Sequence, residues 1–318
     1  MTRMRLRKFA LPFASVALLA ALASAPARAG QITLPEQASR ALDEIYAGNP
    51  DDGIASAQAM EHAQPQSPLG YAIEAEARWW KIYCESCDVQ WGMIDAWKGG
   101  KGPGSNAYLY LAAKVVRLAN EHLASSDTAE MHLYAGMGWA LQARLYGLRN
   151  DRGKTAHAGV EARKEFLRAL KLDPSMADAD VGLGLYNYYV DTLSPLLKFL
   201  RFFMGIPGGS KKDGIRQLEN GMNHGVLLAT VARFYLAKNL RTYDHQYEQA
   251  LSVAEPLTKR YPRNPIFLLL VGNLNAELGR DQAADTNFRA ALNAPATDTA
   301  CAMRVHKIAN SFLSKSQQ

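Results

Sequence analysis

Three sets of residues in this 318-residue chain have types and spacings that invite a chemical reading. Cys84 and Cys87 form a Cys-x-x-Cys unit behind Trp79, Trp80 and Tyr83. Dithiol enzymes place that unit at a helix N-terminus, where the dipole stabilises a thiolate, usually beside a strand. Here Tyr71, Ile73, Ala77 and Trp80 mark a helix already under way, and no strand pattern precedes it. A local structural disulfide between Cys84 and Cys87, formed on export, is the favoured expectation. Buried free thiols and a catalytic dithiol are the two other readings. Zinc would require two further ligands at suitable spacing, and none is near in sequence, so no metal site is expected. Cys301 is left over as a small buried residue.

The second set is the tract Gly99-Gly-Lys-Gly-Pro-Gly-Ser105, which suggests a phosphate loop but lacks the Gly-x4-Gly-Lys-Ser/Thr order. It reads as a connection between helices. The third set is the scattered histidines and carboxylates, among which no His-Glu-x-x-His and no Gly-x-Ser-x-Gly occurs. The sequence therefore implies neither an enzyme nor a cofactor.

Charge narrows the partners. The chain has 36 Lys and Arg against 30 Asp and Glu, a formal +6. Arg3, Arg5, Arg7, Lys8 and Arg28 all precede residue 30, with no acid among them, and removing those five leaves 31 bases against 30 acids. So balanced a body has no electrostatic case for nucleic acid. The bases up to Lys8, the apolar run from Phe9 to Ala23 and the small-residue site Ala27-Arg28-Ala29 have the three-part form of a secretory signal peptide. Residues 1–29 are expected to be cleaved, and the run is shorter than a membrane span. The expected location is periplasmic or secreted.

The elements that must position any site come from repetition. Near the C-terminus the chain reads Leu268-x-x-Val271-Gly272-x-x-Asn275, then Gly279, then Ala284-x-x-x-Phe288-x-x-Ala291. The second half recurs 34 residues earlier at Ala250, Ala254 and Leu257 before Pro262, again at Ala162, Phe166 and Ala169 before Pro174, and loosely at Gly53, Ala57 and Met60 before Pro65. Gly214, Leu218 and Gly221 leave a further trace. Matching first-helix traces are Tyr134-x-x-Met137-Gly138-x-x-Leu141 and Asp180-x-x-Leu183-Gly184-x-x-Asn187. Small residues at i and i+7 flanking a large one at i+4 share a helical face, so a partner helix approaches closely and clasps the large side chain. Phe288 is thus expected to plug a gap beside Gly272. These spacings resemble the tetratricopeptide repeat. The resemblance implies an all-α, right-handed solenoid of helix pairs, a single domain over 30–318.

Two stretches exceed the repeat length: one near 147–160, with the polar run Asn150 to Gly159, and one near 192–212. The second carries Leu193, Leu196, Leu197, Phe199, Leu200, Phe202, Phe203 and Met204, and is expected to form an apolar helical insert, favoured as a lid. Its surroundings, Gly182-Leu-Gly-Leu-Tyr-Asn-Tyr-Tyr, Leu193-Ser-Pro and Lys212-Asp-Gly-Ile, resemble the central segment of the tetratricopeptide domain 39 and inclusion-body-clearance family. That resemblance implies a recurring structural module and no activity.

In tetratricopeptide arrays the first helix of each unit lines the concave face. The resemblance therefore places Trp139, Leu185, Tyr188, Tyr189, Tyr235, Asn239 and Asn273 toward a groove. Asn239 and Asn273 match the asparagines that hold a ligand backbone, while Tyr235 and Leu269 stand where clamp lysines would be. That leaves a groove for an extended or helical segment, or a row of side chains that pack between helices. The expected function is an exported non-catalytic interaction module of the envelope that binds a protein or peptide. The alternative is membrane-surface contact through residues 193–206, with Lys198 and Arg201 at the polar edge.

Overall fold

The computed structural model describes residues 32–86, 106–203, 205–295 and 299–314. The expected signal peptide, Cys87 and the Gly99–Ser105 tract lie outside the described residues.

Among the described residues the secondary structure is helical throughout. The helices are α1 Glu36–Tyr46, α2 Pro50–Ala63, α3 Pro68–Ser86, α4 Asn106–Leu123, α5 Ala129–Leu148, α6 Arg152–Leu172 and α7 Ala177–Thr192. A short α8, Pro195–Phe203, precedes α9 Lys211–His224, α10 Ala229–Thr242, α11 Tyr247–Arg260, α12 Pro265–Glu277, α13 Asp281–Leu292 and α14 Thr299–Leu313. Local chemistry sets several boundaries. Pro50 and Pro265 begin helices where no intrahelical N–H is needed. Thr128, Asp151, Ser210 and Asn264 accept hydrogen bonds from first-turn amides of α5, α6, α9 and α12.

Sequential helices pack as pairs: α1 with α2, α3 with α4, α5 with α6, α7 with α9, α10 with α11 and α12 with α13. The repeat residues make these contacts. Phe166 of α6 is buried in a slot between Gly136 of α5 and Gly182 of α7. Phe288 of α13 fills the matching space beside Gly272 of α12 and stacks on Phe312 of α14 at 4.6 Å. Gly184 and Gly214 bring α7 and α9 together backbone to backbone: a Cβ on either would stand within 2.9 Å of the other's carbonyl oxygen. The pairing therefore continues across the residues that separate these two helices. This is a tetratricopeptide-like fold.

The excess residues near 147–160 form no separate unit. They lengthen α5 and α6 to 20 and 21 residues. The turn between them is short, with Asn150 at φ 57° and Asp151 as the cap.

The array closes on itself, which repeat spacing alone does not dictate. Asn264, at the start of α12, donates to the Tyr46 carbonyl at 2.9 Å. Arg260 and the Tyr261 hydroxyl both donate to Asp43, at 2.9 and 2.8 Å. Gly48 turns at φ 95° directly over the Arg263 carbonyl, an approach that a side chain would obstruct. Within this closure, α3 meets first helices from across the chain. Trp80 lies edge-on to Tyr46, Phe234 and Phe267, with ring centroids 5.0–5.8 Å apart.

Cys84 of α3 is disulfide-bonded to Cys301 of α14, with their Cα atoms 5.1 Å apart. This corrects the expected Cys84–Cys87 bridge. The spacing argument weighed only neighbours in sequence, whereas chain closure brings α14 against α3 and buries both cysteines.

Candidate functional site

A buried polar network joins α3, α5 and α10. Arg144 of α5 pairs with Glu76 of α3 at 2.7 Å, and its guanidinium lies over the rings of Trp79 and Tyr235 at 5.6 and 5.4 Å. Trp79 donates its indole N–H to the Tyr235 hydroxyl at 3.0 Å, and Trp80 donates to the second Glu76 oxygen at 3.0 Å. The buried ion pair is therefore hydrogen-bonded on both carboxylate oxygens, the arrangement a desolvated carboxylate requires.

The other residues assigned to the groove separate into two groups. Tyr188, Tyr235, Asn239 and Asn273 are buried, and Leu185 and Tyr189 are half-buried. Asn239 accepts from the Tyr189 hydroxyl at 3.1 Å through its side chain, and from Tyr188 at 3.1 Å through its backbone carbonyl. Tyr188 also donates to Asp244 at 2.6 Å, and burial together with that carboxylate pushes its phenol well above the usual range. Asn273 accepts from Arg241, which also pairs with Glu277 at 3.2 Å. These side chains join α7, α10 and α12 to one another.

Trp139 behaves differently. It stands five residues before Arg144, roughly 140° round a helix of 3.6 residues per turn, and so faces away from α3. It meets His157 of α6 edge-on at 5.6 Å. With Gln142 it forms one wall of a depression of about 580 Å³ whose other wall is Ala113, Val116, Arg117, Asn120 and Glu121 of α4 with Ala124 just beyond it. The floor is apolar, and the Arg117–Glu121 ion pair sits on the rim. Trp139, assigned to the groove from the sequence, lines this depression. Missed altogether was the α4 stripe, whose three-and-four spacing was the available signal.

In the chain at 192–212, Phe202 is exposed, Leu193 and Leu197 are half-buried, and the side chains of Phe199 and Phe203 lie outside the described residues. No group of three or more metal-binding side chains occurs among the described residues. Two titratable clusters do occur. His132 is held on both ring nitrogens, by Asp127 at 2.7 Å and Glu165 at 2.5 Å. Arg168, then His132, hold the Asp127 carboxyl below its usual range. Glu61 of α2 abuts the buried Glu74 of α3, and burial followed by the bond to Glu74 pushes its pKa up to about 8. Glu74 is neutralised by Arg78, which donates to it at 2.7 Å.

No family model matches the chain. Among solved structures it is similar to the human IFIT1 dimer with PPP-AAAA, at 12% identity over 85% of this chain and 68% of that one, with a TM-score of 0.38. A monomeric IFIT1 mutant with Gppp-AAAA is 13% identical over 85% of this chain and 57% of that one, at a TM-score of 0.31. The TPR domain of P58(IPK) is 12% identical over 89% of this chain and 98% of that one, at a TM-score of 0.26. Likenesses this distant say nothing about a ligand. The tetratricopeptide-like character rests on the helix pairs and glycine slots themselves.

Proposed function

We propose that the protein is an exported, non-catalytic interaction module that binds a protein or peptide along the outer depression between α4 and α5. The observation that carries this reading is the exposed apolar floor beside Trp139 with a mixed-charge rim. An amphipathic helix or extended segment can lay one face into such a groove, and tryptophan is a frequent energetic anchor in interfaces. Export to the periplasm or beyond is supported by the signal-like N-terminus and by the buried Cys84–Cys301 disulfide, which suits an oxidising compartment.

The test is a selection of displayed peptides on the mature chain, followed by titration. Trp139→Ala is expected to weaken the selected peptides by at least about tenfold, the scale of an interface hot spot. A control in the buried network, Tyr235→Phe, is expected to leave affinity unchanged. Equal affinity of wild type and Trp139→Ala would place the site elsewhere.

A further inference from the structure

We infer a binding site for a small phosphate dianion, free or as a monoester, where Arg163 of α6 and Arg201 of α8 flank Tyr186 of α7. The inference is independent of the α4–α5 groove, since it concerns other side chains and another ligand class.

The half-buried Tyr186 gathers groups from three helices. Gly159 brings α6 against the ring, where a Cβ would stand 3.9 Å from it. Arg163, one turn further along α6, lays its guanidinium over the same ring, 5.6 Å from the centroid. The Tyr186 hydroxyl donates to the Pro207 carbonyl at 2.8 Å, and Arg201 donates from Nη1 to the preceding carbonyl, that of Ile206, at 3.3 Å. Arg201, expected on the polar edge of an outward-facing helix, is therefore turned toward α7 and half-buried there.

Neither guanidinium meets an acid. The neighbouring bases are spoken for: Lys198 by Asp191, Lys211 by Asp244 and Lys164 by Glu161. Arg163 and Arg201 form no ion pair among the described residues. The Arg201 Nε is buried and has no hydrogen-bond partner there either, so most of the five donors of that fork are unused. The Tyr186 phenol registers the same field, since burial pushes it up while Arg163, then Arg201, oppose the shift and no carboxylate contributes. Half-buried guanidinium groups without a counter-ion carry an uncompensated desolvation cost, which a bound anion would offset. Charge and geometry select that anion. Two arginines from different helices match a phosphate, with nearly two charges and three acceptor oxygens, whereas a carboxylate is satisfied by one fork. Access is through Gly208, which is exposed and where a Cβ would stand 3.0 Å from Arg201 Nη1.

The experiment is calorimetric titration of the mature chain with inorganic phosphate, glycerol phosphate and acetate, with thermal melts in the same solutions. Phosphate is expected to bind at one saturable site with a Kd below about 1 mM, and more tightly as pH rises through the second ionisation of the phosphate. Glycerol phosphate binding more tightly than the free ion supports the site and assigns it to an ester; the reverse order supports it and assigns it to the free anion. Arg163→Gln and Arg201→Gln are each expected to weaken binding at least about tenfold, the scale of one charge-assisted hydrogen bond. Arg163 makes no hydrogen bond among the described residues, so its variant is expected to melt as the wild type does without phosphate. Arg216→Gln, which removes a surface base paired with Asp213, is expected to bind unchanged. Neither heat nor a raised melting temperature with either phosphate overturns the inference. So does equal affinity of wild type and Arg163→Gln, acetate binding as tightly as phosphate, or an equal loss in Arg216→Gln, which would mark diffuse surface charge.

Discussion

Phe166→Ala is the sharpest test of the helix-pair architecture, because one side chain serves two interfaces. The ring is 1% exposed and fills the slot between Gly136 and Gly182. A cavity of roughly 100 Å³, at about 24 cal/mol per Å³, contributes roughly 2 kcal/mol on top of about 2 kcal/mol of lost transfer free energy. The expected loss is therefore about 4 kcal/mol, near the middle of the usual range for such truncations. Collapse cannot easily relieve it, since both facing positions lack a Cβ.

Urea unfolding followed by far-ultraviolet circular dichroism gives the stability change. Hydrogen exchange is expected to place the loss of protection in α5, α6 and α7, because repeats stabilise chiefly their neighbours. A second variant separates packing from propensity. A Cβ on Gly136 would stand 2.6 Å from a Phe166 ring carbon, so Gly136→Ala alone is expected to destabilise by about 1–3 kcal/mol through overpacking. In the Phe166→Ala background the same methyl enters the cavity, so its effect should vanish or reverse, a coupling of about 1 kcal/mol or more. Additive effects, or a loss below about 1.5 kcal/mol for Phe166→Ala, would refute the slot.

Three further outcomes follow from the interior. Non-reducing peptide mapping is expected to recover Cys84 linked to Cys301 and to leave Cys87 for maleimide after denaturation, and Cys301→Ser should cost about 2–5 kcal/mol for so long a closed loop; a Cys84–Cys87 peptide would contradict the chain closure. Arg144→Met alone is expected to cost about 3–5 kcal/mol by stranding Glu76, while Glu76→Gln with Arg144→Met recovers most of it, as urea titrations of both variants would register. Glu61 has a raised folded pKa, so the folded state holds its proton longer than the unfolded chain, and stability falls as pH rises from the ordinary carboxyl range to about 8. Glu61→Gln should abolish that fall, and an identical pH profile for both proteins would show the shift to be absent.

What could be read from the sequence was local in origin. The clasp of Phe288 by Gly272 and of Phe166 by Gly136 and Gly182 joins neighbouring helices, so its spacing is written into one or two repeats. The polar run at 150–159 was read as an insertion because repeat length is an average, and a longer pair of helices absorbs the excess without a loop. The chain closure was illegible for a different reason. Trp79 meets Tyr235 across 156 residues, and Tyr46 meets Asn264 across 218, separations at which no periodicity operates. The cysteine pairing and the buried network of Glu76, Arg144 and Tyr235 both depend on that closure. Trp139 was visible as an aromatic on a first helix, but its own spacing does not state that it lines the depression beside α4.

Closure also bears on where a partner binds, and the two surfaces can be told apart by sign. A ligand entering the centre must displace α3, so its apparent affinity is reduced by the small fraction of molecules in which α3 is undocked. Trp80→Leu removes the edge-on contacts with Tyr46, Phe234 and Phe267, weakening that docking by about 1.5–3 kcal/mol. For a central site this variant should bind wild-type-selected peptides about 10–100-fold more tightly, because the undocked fraction rises by that factor. The outer groove involves no displacement of α3, so there the same variant should leave affinity unchanged while its unfolding midpoint falls. Tighter binding by Trp80→Leu would return the site to the centre; unchanged affinity together with loss in Trp139→Ala assigns it to α4 and α5.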